Sequence, residues 1–183
     1  SPPNATNSSS QIVLNYTVGD SNGISQCIRE WTNQSGQVYN KTMANCANES
    51  WVASDGFHTI RMWVNDSANN KNVSSVSFTI DTTPPQISIQ NPLNITYNIS
   101  VVTLNYTASD NLQLGTCIRE LNGINTTLSS CQNQSLDESV LGEQSHKIVI
   151  WVNDSAGNKN YSIANFTFRH ALLLNNSLNR TGS

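Results

Sequence analysis

The chain has 183 residues, a net charge of −3 and only 11% charged residues. This composition excludes a strongly basic surface, so we expect no nucleic-acid partner. No apolar run approaches the roughly 18 residues that span a bilayer, so we expect no membrane span, and an exported protein would have this sequence in its mature form.

The chain contains two copies of one module. Residues Asn15–Thr17 and Cys27–Glu30 recur 90 positions later, and Trp63–Ala68 recurs 88 positions later. A repeat with several matched landmarks indicates two domains of the same fold. We place the first domain at residues 1–81, the second at residues 82–169 and a C-terminal tail at residues 170–183.

Apolar and polar residues alternate with period two along both copies. Ile12, Leu14, Tyr16 and Val18 share one parity, as do the corresponding residues around Leu104. About seven short strands in each copy, separated by turns rich in Gly, Asn, Asp and Ser, predict an all-β chain of two β-sandwiches.

The four cysteines are divided evenly, with Cys27 and Cys46 in the first copy and Cys117 and Cys131 in the second. One pair per copy favours one disulfide in each domain of an exported protein, although pairing across the copies remains open. Zinc requires closer clustering of ligands, so we expect no metal and no cofactor.

Asparagine occurs in an unusual pattern, since 18 of the 27 asparagines begin an Asn-x-Ser/Thr acceptor where chance would give about six. This excess predicts dense N-glycosylation outside the cell, and an Asn-rich polar surface is the alternative. The acceptors are Asn4, Asn7, Asn15, Asn33, Asn40, Asn48, Asn65, Asn72, Asn94, Asn98, Asn105, Asn125, Asn133, Asn153, Asn160, Asn165, Asn175 and Asn179.

Two kinds of side chain have the chemistry of a functional site. Asp66 and Asp154 begin hairpin turns, where a carboxylate caps backbone N–H groups. Calcium binding with Asp20, Asp81 and Asp110 is the alternative, but the spacing is not that of an EF-hand, so we favour capping.

His58 and His146 begin core strands with no nucleophile or orienting acid beside them. We therefore expect structural hydrogen bonds from these histidines and no enzymatic activity.

The segment Phe78–Pro85, followed by Gln86-Ile87, resembles the linker between tandem immunoglobulin-like repeats of prokaryotic surface proteins. The turn Val152–Asn158 is similar to the last hairpin of those repeats, and paired cysteines with a His-led strand resemble their archaeal versions. The resemblance implies two tandem immunoglobulin-like β-sandwich domains with a Thr-Thr-Pro-Pro linker, a cell-surface or extracellular location and no catalytic residues.

The two copies differ at their front edges. Gln86–Gln90 has no counterpart before the first copy, so we expect the first domain to lack its own first strand. The tail contains Ala171, Leu172, Leu173 and Leu174, and Leu172 and Leu174 match the parity of Ile87 and Ile89.

These features lead to a donor-strand hypothesis, in which the tail of one subunit completes the first domain of the next and the protein forms a head-to-tail filament with itself. One alternative is a fragment of a longer tandem-repeat stalk or surface-layer protein. Another is a carbohydrate-binding adhesin, in which Trp63 and Trp151 stack on sugars and Trp31 joins Trp63.

Overall fold

The computed structural model describes residues 5–169, and the first copy forms seven strands with short connections. A turn of 3-10 helix at Ala44–Cys46 follows the fourth strand. The strands are β1 (Thr6–Asn7), β2 (Gln11–Leu14), β3 (Ile24–Thr32), β4 (Val38–Met43), β5 (Glu49–Val52), β6 (Gly56–Asp66) and β7 (Lys71–Ile80).

The second copy forms eight strands and one helical turn, α1 (Glu138–Leu141), in the described chain. A turn of 3-10 helix at Ser129–Cys131 corresponds to that of the first copy. The strands are β8 (Gln86–Asn91), β9 (Thr96–Tyr97), β10 (Val101–Ser109), β11 (Leu114–Leu121), β12 (Ile124–Leu128), β13 (Gln134–Asp137), β14 (Ser145–Asp154) and β15 (Lys159–Phe168).

The strands β1–β7 form the first sandwich. Its larger sheet has the order β1-β7-β6-β3-β4, and its smaller sheet contains β2 and β5. Ile12 and Leu14 of β2 pack with Ile60 of β6 and Phe78 of β7 in one buried cluster. The alternation of buried and exposed residues along β2 and β6 follows the period that the sequence predicts.

The strands β8–β15 form the second sandwich. Its larger sheet has the order β12-β11-β14-β15-β9, which repeats the order of the first sandwich strand for strand. Its smaller sheet has the order β13-β10-β8, and of these strands β8 has no counterpart among the described residues of the first sandwich. This topology confirms the predicted all-β fold of two immunoglobulin-like sandwiches, and among residues 5–169 no strand stands at the position of β8 in the first sandwich.

Each sandwich contains one disulfide between a buried cysteine and the following 3-10 turn. Cys27 of β3 is bonded to Cys46, and Cys117 of β11 is bonded to Cys131. The bonds close loops of 19 and 14 positions, and loops of this length lower the entropy of the unfolded chain enough to stabilise a fold by about 3 kcal/mol each.

His58 and His146, for which structural hydrogen bonds were expected, are buried and hydrogen-bonded. The Trp31 indole N–H donates to His58 Nδ1 at 3.2 Å, so the proton lies on Nε2, which donates to the Ser54 carbonyl at 2.8 Å. His146 makes the same pair of contacts, with the Asn122 side chain at 2.9 Å and the Gly142 carbonyl at 3.1 Å. Both ring nitrogens of each histidine are therefore used to fix the start of a strand.

By the density of its contacts, the chain divides into two compact units. Of the described residues, the first contains residues 5–85 together with Ser109–Gly115 and Asn153–Lys159. The second contains Gln86–Ala108, Thr116–Val152 and residues 160–169.

The histidine contacts generate a stability prediction. Replacing His58 with Leu leaves the Trp31 N–H and the Ser54 carbonyl without their buried partner, so we expect the free energy of unfolding to fall by about 2–3 kcal/mol. Urea unfolding followed by tryptophan fluorescence measures this loss. Phe57→Leu, at the exposed neighbouring position, should change stability by less than about 0.5 kcal/mol, and an equal loss in both variants would contradict the assignment.

Candidate functional site: an open groove in the first sandwich

A groove of about 690 Å³ runs along the first sandwich; we call it the strand groove. Its walls are β2 and the residues that follow it on one side, and β6 and β7 on the other. Apolar side chains form much of its floor, including Ile12, Leu14, Ile60, Met62, Val64, Val76 and Phe78.

In the second sandwich, β8 occupies the corresponding position. It is hydrogen-bonded to β10, the counterpart of β2, and the Ile89 amide also donates to Ser162 Oγ of β15, the counterpart of β7, at 3.4 Å. Ile87 and Ile89 are half-buried, whereas Ser88 and Gln90 are exposed. The second sandwich therefore shows what a filled groove contains: an extended strand with apolar residues two positions apart.

The absence of a β8 counterpart among residues 5–169 shortens the neighbouring strand. Strand β10 runs for nine residues between β13 and β8, whereas β2 runs for four residues and pairs with β5. Residues 15–20 form no regular structure, although Asn105–Ser109, which match residues 15–19, are part of β10. A strand edge without a partner leaves backbone N–H and C=O groups available to another segment.

Side chains along the strand groove are also less covered than their counterparts. Tyr106 and Val152 are buried in the second sandwich, whereas Tyr16 and Val64 at the matching positions are half-buried. Val18, expected from its parity to face inward, is instead 37% exposed. The reason is that β2 ends at Leu14, so the alternation of a strand no longer applies at Val18.

The predicted donor residues Ala171, Leu172, Leu173 and Leu174 lie outside the described residues, as does the whole of the tail from residue 170. Their placement against the strand groove therefore stays a prediction.

The predicted glycosylation sites are accessible where they are described. Asn4, Asn175 and Asn179 fall outside residues 5–169, and none of the other fifteen acceptors is buried. Asn15 and Asn72 border the strand groove, and their counterparts Asn105 and Asn160 are exposed in the second sandwich, where β8 is present. Sugars at these positions are therefore compatible with a filled groove.

Trp31 does not join Trp63, contrary to what the adhesin alternative supposed. Trp31 stacks on Tyr39 at 4.9 Å and hydrogen-bonds His58, and its cross-strand partner on β6 is Ile60. Trp63 pairs with Ile28, so the two tryptophans are not joined, and this expectation was wrong. Strand register decided the outcome, because Trp31 and Trp63 are not opposite each other.

The arginines repeated at the centre of β3 and β11 were missed as structural residues. Arg29 is buried, forms an ion pair with Glu49 at 2.6 Å and lies over the Trp51 ring at 4.3 Å. Arg119 donates to Gln134, which stands where the first copy has Glu49. The repeated sequence Cys-Ile-Arg-Glu could have indicated this role, because in each copy its arginine contacts a side chain of the smaller sheet. Arg61, which follows Ile60 on β6, forms an ion pair with Glu30.

The turn aspartates cap their hairpins. Asp66 accepts hydrogen bonds from the amides of Ala68 and Asn70, each at 2.8 Å, and Asp154 accepts the matching bonds from Ala156 and Asn158.

Within residues 5–169, no helix has the length and apolar character needed to cross a bilayer.

Comparisons with known proteins agree with the fold. No protein-family model and no curated protein sequence matches the chain. Among solved structures, the chain is similar to the amphioxus IgVJ-C2 molecule, with a TM-score of 0.52 and 9% identity over 89% of this chain and 99% of that one.

It is also similar to the fibronectin(III)-like modules of Clostridium thermocellum CbhA, with a TM-score of 0.44 and 14% identity over 93% of this chain and 92% of that one. A tetra-tandem repeat from the extending region of a large adhesion protein has a TM-score of 0.44 and 20% identity, over 89% of this chain and 46% of that one. At 9% identity, the likeness to the amphioxus molecule shows the immunoglobulin-like fold and not the function.

Proposed function

We propose that this chain is a structural part of an extracellular surface protein, and that its first sandwich is an acceptor for a β-strand supplied by another segment of polypeptide. One observation carries the proposal: the strand groove is open in the first sandwich, and the chain's own β8 fills the same position in the second. The disulfides and the dense Asn-x-Ser/Thr acceptors support an extracellular location.

The second sandwich defines the chemistry of the missing strand. The occupant must be extended, so that its backbone extends the β2–β5 sheet, and it must place apolar side chains two residues apart over Ile12, Met62 and Val76. Burying two leucine-sized side chains there contributes roughly 3–6 kcal/mol before the cost of ordering the strand is subtracted.

A segment of this kind is present in the chain's own tail. Leu172 and Leu174 have the spacing of Ile87 and Ile89, so residues 171–176 of a second molecule of this protein are our candidate for the occupant. Each molecule would then donate its tail strand to the next molecule and accept a strand from the previous one. This head-to-tail contact does not close on itself, so it would produce a filament.

The second source of such a strand is a preceding repeat of a longer polypeptide. The arrangement of β8 favours this alternative, because β8 follows the linker Asp81–Pro85 directly and so belongs to a continuous tandem array. In both cases the first sandwich is an acceptor and the function is mechanical, since stacked domains carry force through neighbouring contacts. The two cases differ in whether copies of this chain assemble.

Variants of the tail distinguish the two sources. We expect the full chain to form concentration-dependent oligomers in light scattering, and expect Leu172→Asn with Leu174→Asn to shift it towards the monomer, because polar side chains would be placed over the apolar floor of the groove. Leu173→Asn is the matched control, since its side chain has the opposite parity, and it should assemble like the unaltered chain.

Two outcomes would contradict the self-assembly hypothesis. If the full chain is monomeric at every concentration, the strand must come from a longer polypeptide. If the double variant and the control assemble equally, the tail is not the strand that fills the groove.

Amide hydrogen exchange tests the acceptor itself. When the groove is filled, residues 15–19 should continue β2 as Asn105–Ser109 continue β10, so we expect their exchange to slow by about tenfold or more. The amides of Asn105–Ser109 are the internal control and should not change. Exchange at residues 15–19 that stays fast in assembled material would contradict strand addition at β2.

A further inference from the structure

The first compact unit contains a cluster of three aspartates from distant parts of the chain. Asp81 follows β7, Asp110 follows β10 and Asp154 is the last residue of β14. One carboxylate oxygen of each residue lies within 4.8 Å of the other two. Carboxylates at this distance repel one another unless a cation or a proton neutralises them.

Two oxygens of the cluster have no hydrogen-bond partner. Asp81 is completely buried; its Oδ1 accepts a bond from the Thr83 amide at 3.3 Å, while its Oδ2 is unpartnered. Asp110 Oδ1 is also inaccessible to solvent and unpartnered. None of the ion pairs found in residues 5–169 includes any of the three aspartates.

The surroundings of Asp81 disfavour an isolated negative charge. Burial raises the pKa of Asp81, the Thr83 amide opposes that rise, and the neighbouring carboxylates of Asp110, Asp154 and Asp55 add to it. A buried carboxylate with an unsatisfied oxygen is costly, so its retention beside two other carboxylates calls for a counter-charge.

Turn capping does not explain these oxygens. Asp154 makes the capping bonds of its hairpin with both oxygens, and Asp66 makes the same bonds in the first copy. Asp110 uses Oδ2 to accept from the amides of Leu112 and Gln113, at 2.9 and 3.0 Å. Capping therefore accounts for the bonded oxygens, and the unpartnered oxygens of Asp81 and Asp110 remain.

We propose that Asp81, Asp110 and Asp154 bind one calcium ion. Calcium takes oxygen ligands at about 2.3–2.6 Å, so oxygens on opposite sides of the ion are up to about 5 Å apart, which fits the 4.8 Å limit here. Magnesium demands near-octahedral geometry and keeps several waters, so a protein carboxylate cluster suits it less, and the all-oxygen donors do not suit softer metals.

Asn158 holds two parts of this site together before any ion binds. Its side-chain amide donates to the Asp81 carbonyl and to Asp154 Oδ2, each at 2.8 Å. Asp55 accepts bonds from Thr82 and Thr83, the two residues after Asp81, and so fixes the chain there. The ion would add a further link among the three segments that make up the first unit.

The first copy supplies a natural control within the same molecule. Asp20 and Asp66 stand at the positions of Asp110 and Asp154, but no third carboxylate in residues 5–169 forms a cluster with them. At the position of Asp81, the second copy has Arg169. Capping is therefore common to both copies, whereas the three-carboxylate arrangement occurs once in the described chain.

Calorimetric titration of the full chain, freed of divalent ions with EDTA and then desalted, tests the proposal. With calcium chloride as the titrant, we expect one saturable site per chain with a Kd of roughly 0.1–1 mM, the range of extracellular modules, and a higher Tm in calcium than in EDTA. Magnesium should bind more weakly. Asp81→Asn and Asp110→Asn should each weaken calcium binding by about tenfold or more.

Matched variants separate calcium binding from capping. Asp154→Asn and Asp66→Asn alter the same turn in the two copies, and only Asp154→Asn should abolish the calcium-dependent rise in Tm. Asp20→Asn is the control for Asp110→Asn. In EDTA, Asp81→Asn should melt at or above the Tm of the unaltered chain, because it removes one of three crowded charges.

Three results would overturn the proposal. These are no saturable binding up to about 10 mM calcium, unchanged binding by Asp81→Asn, or equal loss of the calcium response in Asp66→Asn and Asp154→Asn. A lower Tm of Asp81→Asn in EDTA, together with no calcium effect on the unaltered chain, would show that Asp81 is a structural acceptor.

Discussion

The unpaired edge of β2 is the constraint on which the rest of the account depends. A backbone N–H or C=O group in a sheet must find a partner, and β2 has one on the side of β5 but none among residues 5–169 on the other. The short β2, the irregular residues 15–20 and the exposed Val18 all follow from that missing neighbour. The strand groove has the same cause, because no strand among the described residues covers the side chains of Ile12, Met62 and Val76 on its floor.

The second sandwich turns this argument into a comparison within one molecule. The two copies share the strand order of the larger sheet, the disulfide and the buried histidine. They also share a parallel strand pair, β1 with β7 in the first copy and β9 with β15 in the second. Because so much is shared, the differences along the groove can be assigned to β8 and not to a different fold. The same comparison applies to the aspartate cluster. Both copies have the capping bonds of the turn aspartate, but among the described residues only the cluster of Asp154 has a third carboxylate.

Much of the fold could be predicted from the sequence because period-two alternation and a long internal repeat determine local structure and topology together. Aligning Gln86–Gln90 against the start of the first copy predicted in the same way that the position of β8 is open in the first sandwich, and residues 5–169 place no strand there. Contacts that depend on strand register were harder. Trp31 was expected to join Trp63, but the register places Ile60 opposite Trp31. Asp81 meets Asp154 across 73 positions of sequence, and no local spacing rule indicates such a meeting.

The most direct test of the central claim is a high-resolution density map of the protein in its assembled or native form. We predict an additional extended strand hydrogen-bonded along β2 and continuing past Leu14 to Val18, with apolar side chains over Ile12 and Met62. A groove that contains only solvent in that map, or that is closed by β2 moving onto β7, would contradict the claim that the first sandwich is a strand acceptor.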